Sequence, residues 1–496
     1  MANNLKKGVF SSILLLVKNL SDKLIGLVST LILARILAPE DFGIIAIATL
    51  VMGLLDVLSE TGASSYLLKE DTIDDQKVNT TWTLNLLLKS ALSVLLVICS
   101  PFVVSFYDDP RIHNVLLAFA AVFCFKAFKN PGLFYLSRSQ SYGKQVQVGL
   151  IAKVASVGAA VGTAIVFQSY WALVIGQAVN SLFVVIGSYI ISNYRPALQL
   201  TNVKAQLAFS IWMIPQAIAG YARTQLDTFI VSSQFGQSVL GSYHTMKYVA
   251  FIPSSHILLP LSWPFLVEIR AVKHDKPLFL KRALGSSLLL LGVSIPFTVI
   301  LFTQSQTVTW FLLGAQWLEY HYILGLFSLL IPAFVLTNEA NRLLVIYGMT
   351  KQLFFVDLLR STIVYTSIFI IGFESIDEFI VNFVFVEAGL ALIYYLIVVW
   401  RYFGINTMAR CVGYFTLFSA IALLNHTIAE FVLQNDLGHQ VLQAAVYSLV
   451  FVVGFIICLV ATNSVLKRHS QEWEYLSSLV ARITNPVLTK LSSTKN

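Results

Sequence analysis

The chain has 496 residues, 57% of them hydrophobic and 12% charged, where an ordinary soluble domain carries roughly 25% charged residues. That deficit excludes a soluble globular protein and points into a bilayer. The net charge of +8 is therefore read first as a matter of membrane topology.

A bilayer-spanning helix needs about 20 mostly apolar residues, and fourteen such runs follow one another, at 11–33, 43–62, 80–106, 115–135, 147–167, 170–193, 206–233, 238–264, 283–303, 321–347, 352–372, 379–400, 412–430 and 440–462. Lys6 and Lys7 precede the first run like the charged region of a signal peptide. No small-residue cleavage site follows, so a retained helix is expected. No interval between spans reaches the roughly 50 residues of a folded extramembrane domain, and no separate catalytic or nucleic-acid-binding domain is expected. Cys99, Cys124, Cys411 and Cys458 each sit in an apolar run without CxxC spacing, which suggests neither a zinc site nor a disulfide framework.

With the N-terminus inside, the inner connections hold 21 Lys and Arg residues and the outer ones two, Arg35 and Arg111. This positive-inside bias predicts that both termini face the cytoplasm. It also accounts for the net charge without a nucleic-acid partner, and basic connections meet anionic lipid headgroups. Beyond the last span, Trp473, Leu476, Leu479, Val480 and Ile483 recur at helical spacing behind Lys467 and Arg468. That pattern predicts an amphipathic helix lying on the inner membrane face.

Ten basic residues fall inside the spans: Lys18, Lys23, Lys89, Lys126, Lys129, Lys153, Arg223, Lys247, Arg342 and Arg360. Seven acids join them: Asp22, Asp56, Glu60, Asp227, Glu339, Asp357 and Glu387. At roughly 3 kcal/mol each, these charges facing lipid would cost far more than a typical net stability of about 5–15 kcal/mol. Most must face one another or water. Lys18 with Asp22, Arg223 with Asp227, Glu339 with Arg342 and Asp357 with Arg360 are three or four residues apart, on one helical face.

Polar stripes recur in several spans: Lys18, Asn19, Asp22 and Lys23 in the first, Asn85, Lys89 and Ser93 in the third, Lys126, Lys129 and Asn130 in the fourth, and Gln216, Gly220, Arg223 and Asp227 in the seventh. The cationic surplus concentrates in the first half, and a water-filled cationic cavity suits an anionic cargo. Its candidate lining cations are Lys18, Lys23, Lys89, Lys126, Lys129, Arg223, Lys247, Arg342 and Arg360, with Lys89, Lys126 and Arg223 deepest in their spans. The competing account is structural salt bridges with lysines snorkelling to the headgroups, which applies most to the paired residues and to Asp56, Glu60 and Lys153.

Spans seven and eight echo spans one and two, with Phe42-Gly43 matched by Leu240-Gly241 at an offset of 198 residues, or six spans. An even number preserves orientation, which predicts parallel repeats about an axis normal to the membrane, with cargo held between them. Gly158 with Gly162, and Gly241 of the eighth span, are assigned to helix packing. Pro215 and Pro253 are candidate bending points, whereas Asn79-Thr-Thr81 fits a glycosylation pattern on the wrong side of the membrane and is set aside.

Certain stretches resemble a known family. They are Leu33-Ala-Arg-Ile-Leu-Ala-Pro-Glu-Asp-Phe-Gly43, Ser59-Glu-Thr-Gly62, Tyr194-Arg195-Pro196, Arg223 and Asp227 with Leu240-Gly-Ser-Tyr243, and Pro260-Leu-Ser-Trp-Pro-Phe265. They are similar to the polysaccharide transporters of the multidrug/oligosaccharidyl-lipid/polysaccharide exporter superfamily, which include Wzx-type flippases.

The resemblance implies an all-α integral membrane fold of two six-helix bundles around a central cavity with two additional helices. The expected division is 1–200, 201–403, 404–462 and a cytoplasmic tail, 463–496. It further implies a bacterial inner-membrane protein that flips a polyprenyl-pyrophosphate-linked oligosaccharide to the periplasmic leaflet by alternating access. No cofactor is implied, and a polysaccharide polymerase is a candidate partner. Trp212, Tyr221, Tyr243 and Tyr248 are candidate glycan-lining aromatics, with core packing as the alternative. Asp22, Asp227, Glu339, Asp357 and Glu387 are candidate sites of proton or sodium coupling.

Three other accounts remain. A membrane enzyme would usually show a clustered outer loop, but the longest outer connection, around Gln304 to Tyr320, carries only Glu319, and no P-loop or HExxH is present. A drug exporter of the same superfamily would be expected to have an acid-rich cavity. A non-transporting scaffold of polysaccharide assembly would leave the buried lysines dispensable.

Overall fold

The computed structural model describes residues 2–59, 67, 74–201, 203–432, 440–466 and 470–478. Glu60, Lys467, Arg468, Leu479, Val480 and Ile483, and the side chains of Trp212 and Gln216, lie outside what is described.

Helices α1 (Ala2–Ile36) and α2 (Pro39–Leu58) are followed by α3 (Asp75–Tyr107), α4 (Arg111–Lys126), the short α5 (Leu133–Arg138), α6 (Gly143–Phe167), α7 (Trp171–Ile191), α8 (Val203–Gln234) and α9 (Gln237–Ala250). A π-helical turn at Ser254–Leu258 leads into α10 (Leu259–Ala271), then α11 (Lys276–Thr303) and α12 (Ser305–Leu312). After a 3₁₀ turn come α13 (His321–Ser328), α14 (Leu330–Ile346), α15 (Thr350–Ile371), α16 (Ile376–Phe403), α17 (Ile405–Val432) and α18 (Gln440–Leu466). A tail helix, α19, covers 471–478.

Several starts are fixed by caps. The Asp74 carboxylate accepts from Lys77 N at 2.8 Å, Asp275 from Leu278 N at 3.1 Å, and the Ser375 hydroxyl from Glu378 N at 3.2 Å, each satisfying an N–H that the helix itself leaves open.

Among the described residues, eleven helical segments are long and apolar enough to cross a membrane, and the protein is a multi-pass membrane protein. The other three expected spans are helical: helix α4 has only 16 residues, α1 carries Lys18, Asp22 and Lys23, and α8 has several side chains outside what is described. Large apolar residues lie on the outside, among them Ile98 and Phe102 on α3, and Ile456 and Ile457 on α18, as expected where lipid is the solvent.

By packing, the chain divides into two compact units, 1–245 and 246–496. Helix α8 and the start of α9 fall within the first unit. Within the first unit α6 lies between α1 and α7, α3 pairs with α4, and α2 packs on α8. In the second, α14 packs on α11 and α16, and α17 pairs with α18.

Two small-residue expectations separate. A Cβ at Gly158 or Gly162 would meet nothing within 4 Å, whereas one at Gly176 would fall 2.9 Å from the Ala160 Cβ. The close approach of α6 and α7 is therefore made from the α7 side, and the Gly158–Gly162 assignment is corrected. Gly43 and Gly241 do mark a tight contact: Gly43 lies on the carbonyl of Gln237, and Gly241 on that of Pro39. Each glycine stands four residues after the residue that receives its counterpart. The crossing of the α2 and α9 starts is thus reciprocal, with the 198-residue offset written into it.

Pro253 stands at the entry to the π-helical turn, whereas Pro215 lies inside a continuous α8.

The tail helix corrects another expectation. Trp473 is fully buried, its ring centroid 6.2 Å from Phe418 and 6.1 Å from Tyr414. Glu472 accepts from Arg410 at 2.6 Å, Lys281 from α11 reaches Glu474 at 2.6 Å, and Tyr475 donates to Glu268 at 2.6 Å. Trp473 packs into the second unit, where the helix finds aromatic partners and three helices, α10, α11 and α17, to tie together, so α19 is no free surface helix.

Candidate functional site

The first unit holds a cavity of about 670 Å³, within the roughly 300–1,000 Å³ range of ligand sites. One face of α3 supplies Val78, Thr81, Trp82, Asn85 and Lys89, at the spacing that keeps residues on one side of a helix. Lys126, Lys129 and Asn130 come from the end of α4 and the turn after it, Asp56 and Ser59 from the end of α2, and Tyr142 and Gln145 from the start of α6. Among the described lining residues three are lysines and one, Asp56, is an acid. The Lys89 ammonium lies 5.2 Å from the centroid of the Phe123 ring, a cation–π contact. Lys129 is within electrostatic reach of Lys89, which gathers cations from α3 and α4 around one space.

A second cavity of the same volume lies in the other unit, lined by α11, α17, α18 and α19, and its described lining residues carry no charged side chain. For an anionic ligand the lysine-lined cavity is the candidate site.

The structure brings Lys89, Lys126 and Lys129 together and leaves other candidates elsewhere. Lys18 pairs with Asp22 at 2.5 Å, as spacing predicted, and its side chain lies over Gly149 of α6. Lys23 and Arg223 belong to the same unit but are not among the cavity's lining residues. Lys247, Arg342 and Arg360 fall in the second unit. There Arg342 and Glu339 form a buried pair at 2.8 Å, and Ser286 and Ser287 of α11 donate to the same carboxylate. Arg360 reaches across to Glu387 of α16 at 3.1 Å and donates to Thr337 at 2.8 Å. Asp227 accepts from the Tyr243 hydroxyl at 2.6 Å. Tyr243 is fully buried, and the Tyr221 hydroxyl donates to the backbone oxygen of Leu50 at 2.5 Å, against Gly53. Neither tyrosine is among the described lining residues of the lysine cavity.

Sequence reasoning missed Trp82, Tyr142, Gln145 and Phe134 in the lining. Trp82 was legible in principle, being one turn before Asn85 and two before Lys89 on the same stripe. Tyr142 and Gln145 gave no such signal, since their helix contributes only its end.

The connector from α7 to α8 borders this site. Asn130 holds it from the cavity side, its Nδ2 donating to Tyr194 O at 2.8 Å. Burial, reinforced by the charge of Asp75, pushes the Tyr194 phenol up to about 12, so it stays a donor, to Asn79 Oδ1 at 2.7 Å.

A family model described as "Polysaccharide biosynthesis protein" matches residues 32–322, more than half of the chain. The chain belongs to that family. Its relatives include the succinoglycan biosynthesis transport protein ExoT of Rhizobium meliloti, 23% identical over 60% of this chain and 61% of its own. Another is the lipopolysaccharide biosynthesis protein WzxC of Escherichia coli, 25% identical over 46% of this chain and 47% of its own. The chain thus matches about half to three fifths of these relatives' lengths. Among solved structures, the lipid II flippase MurJ in an inward closed conformation aligns over 93% of this chain and 99% of its own, with TM-score 0.73 and 16% identity. A multidrug resistance MATE family transporter in an inward-facing conformation aligns over 78% of this chain and 96% of its own, with TM-score 0.55 and 12% identity. The family member therefore has the all-α fold shared by these membrane transporters.

Proposed function

We propose that the protein is a flippase for a polyprenyl-pyrophosphate-linked oligosaccharide, moving it from the cytoplasmic to the periplasmic leaflet of a bacterial inner membrane by alternating access. The observation that carries this reading is the cavity in which Lys89, Lys126 and Lys129 converge with one described acid, Asp56. A pyrophosphate needs charge-assisted donors, and lysines in a site partly removed from water attract it more strongly than in bulk. Trp82, Asn85 and Gln145 add the aromatic and amide surface that a glycan's rings and hydroxyls require. The relatives ExoT and WzxC, a succinoglycan biosynthesis transport protein and a lipopolysaccharide biosynthesis protein, support the same cargo class, as does the flippase fold. In this reading the chain performs no bond-making chemistry and needs no cofactor.

Both termini are cytoplasmic, the polymerase that uses the flipped unit is a candidate partner, and transport draws on a proton or sodium gradient through one of Asp22, Asp227, Glu339, Asp357 and Glu387. The test is leaflet exchange in proteoliposomes containing a polyprenyl-pyrophosphate oligosaccharide. Exchange should fall in Lys89→Ala and Lys126→Ala at unchanged expression, and it should respond to an imposed gradient. Exchange indifferent to proton and sodium gradients would remove the coupling claim, and equal exchange in all variants would remove the site.

A further inference from the structure

The connector between α7 and α8, residues 192–200, is neither helix nor strand, and Ser192 at its start is extended. A backbone outside helix and sheet has N–H groups to satisfy, and here α3 receives them. Ala197 N donates to Asn79 Oδ1 at 3.1 Å, Gln199 N to Thr83 Oγ1 at 3.1 Å and Thr201 N to Thr80 Oγ1 at 3.0 Å. Every second N–H of the segment is taken, the periodicity of an extended chain. The acceptors are themselves held: Thr83 donates to Asn79 O at 2.8 Å, and Asn79 Oδ1 also accepts from Tyr194. Just beyond, Thr81 donates to Gln206 Oε1 at 3.1 Å in the first turns of α8. All three acceptor side chains are buried.

The same helix presents Trp82, Asn85 and Lys89 to the cavity. Asn79, Thr80 and Thr83 therefore sit on the flank of the site's own wall and bind the chain that leads to α8. Asn-Thr-Thr at 79–81, set aside above as a glycosylation pattern, has this use instead.

We propose that Asn79, Thr80 and Thr83 are positioning residues that fasten connector 194–201 to α3, so that the cavity wall and the start of α8 move as one body through the transport cycle. This rests on the flippase reading for its cycle, though the fastening itself can be observed without transport.

The test joins three measurements on the full-length protein. In amide hydrogen exchange, Ala197, Gln199 and Thr201 should be protected in the wild type, and Gln199 and Thr201 should lose protection in Thr80→Val/Thr83→Val. This arm is independent of cargo. In leaflet exchange of a polyprenyl-pyrophosphate oligosaccharide, the double valine variant should lose about tenfold in maximal rate, the scale of one or two hydroxyl hydrogen bonds, with apparent affinity little changed. Thr80→Ser/Thr83→Ser should restore the rate, which valine's methyl, matching threonine's shape, does not. Finally, Thr83→Cys/Gln199→Cys, made with Cys99, Cys124, Cys411 and Cys458 replaced by serine, should transport at least as fast oxidised as reduced, because a bond between parts that move together restrains no motion and replaces the fastening lost with the Thr83 hydroxyl. Unprotected amides in the wild type would overturn the fastening, and arrest of transport by the disulfide would overturn the shared motion. A full rate in the valine variant would remove the positioning role. A wild type that flips none of the glycans offered would refute the flippase reading and the motion built on it, leaving the fastening to be judged by amide exchange.

Discussion

Replacing Gly43 or Gly241 by alanine should weaken the protein at one point, the reciprocal crossing of α2 and α9. A Cβ at Gly43 would stand 2.6 Å from the Gln237 carbonyl carbon and closer to its oxygen, and one at Gly241 would stand 2.7 Å from Gly43 N and closer to Pro39 O. Carbon atoms pack comfortably at about 3.5–4.0 Å, so the two helix starts must part by about 1 Å. Forcing an extra methyl into a packed contact costs about 1–3 kcal/mol, from which up to about 1 kcal/mol of helix propensity is recovered on replacing glycine. Each variant should therefore lose about 1–2 kcal/mol.

The double variant should lose little more than either alone, since one separation relieves both clashes, a coupling expected of residues that share a contact. Gly158→Ala is the control: its methyl meets nothing within 4 Å, and it should be neutral or stabilising by up to about 1 kcal/mol. Thermal unfolding in detergent, followed by intrinsic fluorescence, ranks the four proteins. Midpoints for Gly43→Ala and Gly241→Ala equal to that of Gly158→Ala would refute the reasoning, and so would full additivity in the double variant.

Two further outcomes follow from groups away from the cavity. Trp473→Ala removes a fully buried indole that packs on Phe418 and Tyr414. It should destabilise the second unit by about 3–5 kcal/mol, read as early unfolding or as protease cleavage in the tail; a surface helix would show neither. Asp109 is buried, which opposes its charge, but hydrogen bonds from Arg111 prevail and hold the carboxyl below its ordinary value. A depressed carboxyl contributes stability that is present above the unfolded value of about 4 and lost as pH falls through the folded one. Asp109→Asn should accordingly lower the unfolding midpoint near neutral pH, with the gap to wild type closing below about pH 4; a constant gap would contradict it.

The membrane spans and the polar stripes were legible because lipid imposes one rule on every helix: charge must leave the outer face. Lys18 with Asp22 and Glu339 with Arg342 were legible for the same reason, since a helix places such neighbours on one face whatever surrounds it. Arg360 was not. It shares a face with Asp357, but Glu387 from α16 and Thr337 from α14 reach it, and spacing along one helix says nothing of what a second helix presents. The tail helix was recognised as amphipathic, yet amphipathicity does not distinguish a lipid surface from the groove that receives Trp473. At 79–83 the acceptors for the connector read as ordinary polar residues, because their partners are backbone N–H groups more than a hundred residues away. The cavity was half legible: the lysines announced themselves as charges out of place, whereas Trp82 and Tyr142 are residues that a membrane helix holds anyway.

The central claim is that the cations at Lys89, Lys126 and Lys129 receive the cargo's pyrophosphate. Leaflet exchange of a polyprenyl-pyrophosphate oligosaccharide, compared in the wild type, Lys89→Arg and Lys89→Gln, tests it most directly, because charge is the property that separates the variants. The account predicts exchange retained in Lys89→Arg and reduced about tenfold or more in Lys89→Gln, the loss of one charge-assisted hydrogen bond. Equal exchange in all three would contradict it.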